Sequence, residues 1–117
     1  MRKFFVFLVA ILALAGCSKE GTGVSGTWKS STSDGVLFLE LNSGGNGVAY
    51  FEGCSSSSAF WSTEGETIKI IGHAYNKDSK LYNFGSGTVN DGLMRIEATV
   101  SKAYSSDKTV NLTFSKQ

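Results

Sequence analysis

Cys17, Cys54 and His73 are the side chains of this sequence best suited to bind a metal or to act as nucleophile or base. A structural zinc site needs four nitrogen or thiolate ligands. The chain has two cysteines and a single histidine. We therefore predict no metal site and no bound cofactor.

Hydrolytic chemistry has no recognisable motif either. None of the serines stands in a Gly-x-Ser-x-Gly elbow, and residues 85–88 lack the lysine of a phosphate-binding loop. Glu64 and Glu66 flank a glycine that is typical of a turn, so we expect them to be solvated. Without a nucleophile–base pair the sequence predicts no catalytic residues, and we expect a protein that is not an enzyme.

Cys17 follows a segment that is typical of secretion. Arg2 and Lys3 are followed by an uninterrupted apolar run at residues 4–14, which is shorter than the about 20 residues that a bilayer-spanning helix needs. This order predicts a secretory signal peptide. The run ends in Leu14-Ala15-Gly16-Cys17, which resembles the lipobox of bacterial lipoproteins at every position.

The resemblance implies that Cys17 becomes the first mature residue. In that family a diacylglycerol is attached to the cysteine thiol, and the new N-terminus is acylated, typically with palmitate. Two or three acyl chains anchor a protein stably, whereas one does so only marginally. Ser18 stands where an aspartate retains enterobacterial lipoproteins in the inner membrane, which favours the outer membrane. An ordinary secretory signal with a chance cysteine is the alternative.

The resulting division is a cleaved signal peptide at residues 1–16, a lipidated cysteine and flexible tether at 17–25, and one domain at 26–117. Lipid on Cys17 leaves Cys54 without an intrachain partner. We expect Cys54 to be a buried small hydrophobe, with an exposed thiol as the alternative.

Composition restricts the fold and the partners. The chain has 117 residues, 41% of them hydrophobic and 12% aromatic, and a formal net charge of +1. This length suits one domain, and the aromatic content is too high for a disordered chain. The weak charge gives no electrostatic attraction to nucleic acid.

Apolar residues alternate with period two, which indicates strands rather than helices. Leu37, Leu39 and Leu41 share one face of such a strand, and Asn90-Asp91-Gly92 is typical of a hairpin turn. We predict an all-β fold, an eight-stranded antiparallel up-and-down meander that forms a closed or half-open barrel, with a sandwich as the alternative. The predicted strands are 26–32, 36–41, 48–52, 59–63, 67–72, 81–89, 93–100 and 109–115.

The start of the first strand, Gly26-Thr27-Trp28, resembles the Gly-x-Trp of lipocalins and of small lipocalin-like bacterial lipoproteins. In that family the tryptophan closes the floor of the barrel. Residues 61–68 are similar to a mid-barrel hairpin of such domains. The resemblance implies a small lipocalin-like barrel.

Aromatic side chains occur next to each other in two places, Tyr50-Phe51 and Phe60-Trp61. Neighbours on a strand point to opposite faces, so one ring of each pair must leave the core. Phe38 also opposes the leucine face of its strand. These five residues are the candidate binding patch, and cross-strand stabilisation of an outer face is the alternative explanation.

Two classes of function fit these features. The first is a membrane-anchored binding module of the bacterial envelope, which uses the aromatic patch or a small barrel cavity to hold an envelope protein or a small apolar ligand. The second is an inhibitor or immunity lipoprotein, of the lysozyme-inhibitor type, which plugs an enzyme with its loops. A cavity would favour a ligand, whereas a rigid, protruding loop such as residues 55–58 would favour an inhibitor.

Overall fold

Eight antiparallel strands, each joined to the next by a short connection, form a closed barrel. The computed structural model describes residues 23–102 and 107–117. The strands are β1 (Gly26–Thr32), β2 (Gly35–Leu41), β3 (Asn46–Phe51), β4 (Ser57–Glu64), β5 (Thr67–Tyr75), β6 (Leu81–Asn90), β7 (Leu93–Ser101) and β8 (Lys108–Lys116). The prediction of an eight-stranded up-and-down barrel is confirmed. The predicted signal peptide, Cys17 and the tether as far as residue 22 lie outside the described residues.

The barrel interior is filled with side chains. Inward-facing residues alternate along each strand as the period-two pattern predicts, and those with an exposed fraction of 1% or less include Trp28, Leu37, Leu39, Ile68, Ile70, Met94, Ile96 and Phe114. These residues belong to one apolar cluster. An eight-stranded barrel is just wide enough to be filled in this way.

Gly87 allows the barrel to curve. A Cβ at this position would collide with the carbonyl oxygen of Arg95 on β7, and the β6–β7 register shifts between Phe84 and Gly87. The bend therefore lies where the sequence carries two closely spaced glycines, Gly85 and Gly87, as expected for a β-bulge.

The meander places the connections between strands at two ends of the barrel, which we call the tether end and the far end. The tether end carries Gly23, the C-terminal Gln117 and the connections at residues 42–45, 65–66 and 91–92. The far end carries the connections at residues 33–34, 52–56 and 76–80. Because consecutive strands are antiparallel, successive connections must alternate between the two ends of the barrel.

Candidate functional site

An apolar stripe crosses the outer surface of β2, β3, β4 and β5. We define this outer stripe by its residues, Phe38, Val48, Tyr50, Phe60 and Ile71. Phe60 is 56% exposed and Ile71 61% exposed, whereas the other three are half-buried. Nothing among the described residues covers it.

Phe38 and Tyr50 form one half of the outer stripe. They are direct cross-strand partners on β2 and β3, and their stacked rings have centroids 5.3 Å apart at an interplanar angle of 24°. The Tyr50 hydroxyl donates a hydrogen bond of 2.5 Å to Oε2 of Glu40. This bond, together with burial, raises the pKa of Tyr50, so the phenol stays a neutral donor.

Phe60 and Ile71 form the other half and are direct partners on β4 and β5. Phe60 does not lie opposite Tyr50, because the β3–β4 register pairs it with Asn46. Val48 connects the two halves. It lies two residues from Tyr50 on the same face and diagonal to Phe60, and diagonal neighbours are about 7–8 Å apart.

The other members of the two aromatic pairs face inward. Phe51 is 2% exposed, and its ring meets that of Tyr82 edge-on at 5.1 Å. Trp61 is partly buried against the core, and its indole nitrogen donates to the carbonyl of Asn42 at 2.9 Å. The structure therefore assigns Tyr50 and Phe60 to the outer surface and removes Phe51 and Trp61 from it.

The opposite side of the barrel is polar. The outward residues of β6, β7 and β8 are exposed Asn, Thr, Arg and Glu side chains: Asn83, Thr88, Arg95, Glu97, Asn111 and Thr113. Leu93, at the start of β7, is 50% exposed and is separated from the outer stripe. The apolar outer surface is thus concentrated on one half of the molecule.

A polar cluster fixes the far end. Asp34 accepts hydrogen bonds from the Tyr82 hydroxyl at 2.5 Å and from Lys80 Nζ at 2.9 Å. Asn76 is only 7% exposed. Its side-chain oxygen accepts hydrogen bonds from the backbone N–H groups of Asp78 and Lys80, and its side-chain nitrogen donates one to the Asp34 carbonyl. These bonds join the β1–β2 and β5–β6 connections.

The hydrogen bond between Tyr82 and Asp34 shifts the pKa values of both groups. The hydrogen bond from Tyr82, aided by Lys80, lowers the pKa of Asp34. Burial and the hydrogen bond to Asp34 raise the pKa of Tyr82 to about 12. At neutral pH the pair is therefore a carboxylate and a neutral phenol.

Cys54 lies next to this cluster. It is a free, half-buried thiol that packs partly against the core, which is less complete burial than we expected. It also lines a far-end cleft of about 270 Å³ together with Asp34, Glu52 and Asn76.

The remaining chemical candidates are dispersed. His73 faces outward on β5 with its ring 5.6 Å from that of Tyr75, and Glu64 and Glu66 are exposed at the tether end. In residues 23–102 and 107–117 there is no group of three His, Cys, Asp or Glu side chains that could hold a metal ion. The same residues include no helix long and apolar enough to cross a membrane.

Val24, which the sequence predicts to lie in the flexible tether, packs against the barrel instead. It is 3% exposed, and its carbonyl accepts a hydrogen bond of 2.8 Å from the indole of Trp28. Lys116 Nζ donates to the carbonyl of Gly23. The chain is thus fixed to the barrel from residue 23 onward, and Trp28, 1% exposed, lies at this end. An apolar residue four positions before Trp28 was the available signal.

Comparison with known families finds a prokaryotic membrane lipoprotein lipid attachment site at residues 1–18. The chain thus carries the attachment signal of a lipid-anchored prokaryotic envelope lipoprotein. Neither the curated proteins nor the solved structures include a match. The lipoprotein signal and the barrel are therefore established independently of any lipocalin relationship, which stays a prediction.

Proposed function

We propose that this lipoprotein is a binding module of the bacterial envelope that holds a partner protein against its outer stripe. The carrying observation is the asymmetry of the barrel surface, with Phe60 and Ile71 exposed on one side and charged or amide side chains on the other. Contiguous apolar patches of about 300–600 Å² are the largest on typical monomers and are often functional. Aromatic anchors contribute much of the binding energy of protein interfaces.

The position of the outer stripe favours a partner in the same membrane. The stripe lies on the side of the barrel rather than at either end. Cys17 precedes Gly23 by six residues, which span at most about 20 Å. A partner that contacts the side of so closely tethered a barrel has to be within roughly 45 Å of the lipid surface, the reach of the tether plus the length of the barrel. The serine at position 18 favours the outer membrane as that surface.

A small apolar ligand inside the barrel is less well supported, because Leu37, Leu39 and Met94 are completely buried in a filled interior. A loop-based inhibitor is also less well supported. Ser57 and Ser58, half of the loop that the sequence suggested for such a role, are paired in β4 with Ala49 and Val48. Catalysis has no supporting arrangement of groups among the described residues, so we propose a non-enzymatic role.

Site-specific photocrosslinking in intact cells tests the proposal. A photoreactive amino acid at Ile71, in the lipidated full-length protein, should yield a discrete cross-linked species with one envelope protein. The same amino acid at Glu97, an exposed position on the polar side, should not yield that species.

Matched variants make the test specific. Phe60→Ser should abolish the cross-link from position 71, whereas Leu93→Ser removes a comparably exposed apolar side chain elsewhere and should leave it intact. Melting temperatures verify that both variants fold. The proposal is wrong when the cross-link persists in Phe60→Ser or arises equally from position 97.

A further inference from the structure

The barrel closes through a very short seam between its first and last strands. β1 and β8 are paired at Trp28↔Lys116 and Lys29↔Ser115, whereas β7 and β8 are paired from Leu93↔Ser115 to Val100↔Lys108. The register that continues from the seam would pair Ser31 with Thr113, and this pair is not formed. Within the described part of the chain, residues 108–114 of β8 thus have a strand partner on one side only.

The direction of the backbone groups along this edge follows from two hydrogen bonds. The Lys116 amide donates to the Gly92 carbonyl on the β7 side, and the Gln117 amide donates to the Thr27 carbonyl on the β1 side. In an antiparallel ladder these directions alternate along a strand. Thr109, Asn111 and Thr113 therefore direct both N–H and C=O toward the seam, at intervals of about 7 Å.

The side chains around the seam are suited to a strand. Leu112 is buried and Val110 packs partly against the core on the inner side. Ser30, on the inner face of β1, is a buried polar residue that is only 4% exposed. Outward, Lys29, Asn111 and Thr113 are exposed and polar. An added strand would meet apolar and hydroxyl groups on one face and solvent on the other.

We propose that the edge of β8 from Thr109 to Thr113 binds an extended polypeptide segment as an additional antiparallel strand. Alternating donors and acceptors at this spacing are complementary to the backbone of an extended peptide, which supplies the binding energy in strand addition. The edge has neither a proline nor a bulge that would block pairing. The seam opens toward the far end, so the segment would enter from the side away from the lipid anchor.

A second copy of this chain is a poorer occupant. Antiparallel pairing of two β8 edges would place the tether ends of the two barrels in opposite directions. Both chains are anchored by lipid within about 20 Å of Gly23, so one membrane could not hold both. The segment therefore belongs to a different protein. This surface is separate from the outer stripe, so either proposal can fail without the other.

Site-resolved amide exchange on the lipidated protein in detergent tests the open edge first. The amides of Thr109, Asn111 and Thr113 should exchange at least about tenfold faster than those of Val110 and Leu112, which face β7. Equal protection of both sets would mean that the seam is closed, and would overturn the proposal.

A displayed library of random dodecapeptides, selected on the same protein, tests binding. Selected peptides should slow exchange of the three seam-facing amides. Asn111→Pro removes one of these N–H groups at an edge position, where proline is tolerated, and should weaken peptide binding at least about tenfold. Asn111→Ala changes only the side chain and should bind within about twofold of wild type.

Several outcomes would contradict the proposal. One is unchanged binding by a folded Asn111→Pro variant, and another is a library that yields no peptide protecting these amides. A concentration-dependent dimer that protects them would assign the edge to a second copy instead. Because amide protection is measured on the wild-type protein, a variant that fails to fold does not prevent a decision.

Discussion

Phe38 and Leu39 are neighbours in the chain but lie on opposite faces of β2. Leu39 is completely buried, whereas Phe38 is half-buried on the outer surface and stacks on Tyr50. Leu39→Ala should therefore cost about 2–5 kcal/mol of unfolding free energy, the usual range for emptying a buried leucine site. Phe38→Ala should cost clearly less. Urea denaturation of both variants measures the difference, and the reverse order would place β2 one residue out of register.

Tyr82 and Asp34 should make stability dependent on pH at both extremes. The pKa of Tyr82 is raised to about 12 in the folded chain from an ordinary 10, so its contribution is complete below pH 10 and is lost as the pH rises toward 12. A shift of this size corresponds to about 2–3 kcal/mol. The pKa of Asp34 is lowered, so its contribution is present above an ordinary carboxyl pKa and is lost as the pH falls through the folded value.

Tyr82→Phe tests the alkaline contribution. It removes the phenol that titrates, so melting temperature should fall less between pH 10 and pH 12 than in wild type. Asp34→Asn should likewise reduce the fall in melting temperature as the pH becomes acidic. If the melting temperature of Tyr82→Phe fell between pH 10 and pH 12 as much as that of wild type, another group would be responsible for the alkaline loss of stability.

The close contact between β6 and β7 depends on Gly87. Its missing side chain allows the Arg95 carbonyl to approach closely, so Gly87→Ala must push the two strands apart. We expect a loss of about 1–3 kcal/mol, as for other overpacked sites. Ser86→Ala, at the exposed neighbouring position, should change stability by less than about 0.5 kcal/mol. Equal denaturation midpoints for the two variants would contradict the close approach.

The strands and their inward faces were predictable because alternation and turn residues act locally. Val110, Leu112 and Phe114 alternate with polar residues, and Asn90-Asp91-Gly92 specifies a hairpin whose Asp91 and Gly92 have positive φ. The place of Phe60 was not predictable. It depends on the β3–β4 register, and the longer connection at residues 52–56 does not fix that register from the sequence. The short seam between β1 and β8 depends on barrel closure, which no local pattern encodes.

The lipid anchor and the meander together define an orientation of the barrel on the membrane. Gly23 and Gln117 are both at the tether end, and the link to Cys17 is short. The connections at residues 42–45, 65–66 and 91–92 should therefore face the membrane. The far-end cluster and the open part of the β1–β8 seam should face away from it, where they are accessible to proteins that are not embedded in the same bilayer.

Energy transfer from single fluorophores to an acceptor dye on lipid headgroups tests this orientation. With Cys54→Ala as background, Glu66→Cys labels the tether end and Asp78→Cys the far end. β5 joins these positions with nine residues, which span roughly 20–25 Å along the axis of a tilted barrel. In vesicles carrying the lipidated protein, transfer should be clearly stronger from position 66 than from position 78. Cys17→Ser, which lacks the acceptor thiol for lipid, should not bind vesicles and should show no transfer from either position. Equal transfer from the two labels would mean that the barrel lies on its side, with the outer stripe or its opposite face against the lipid.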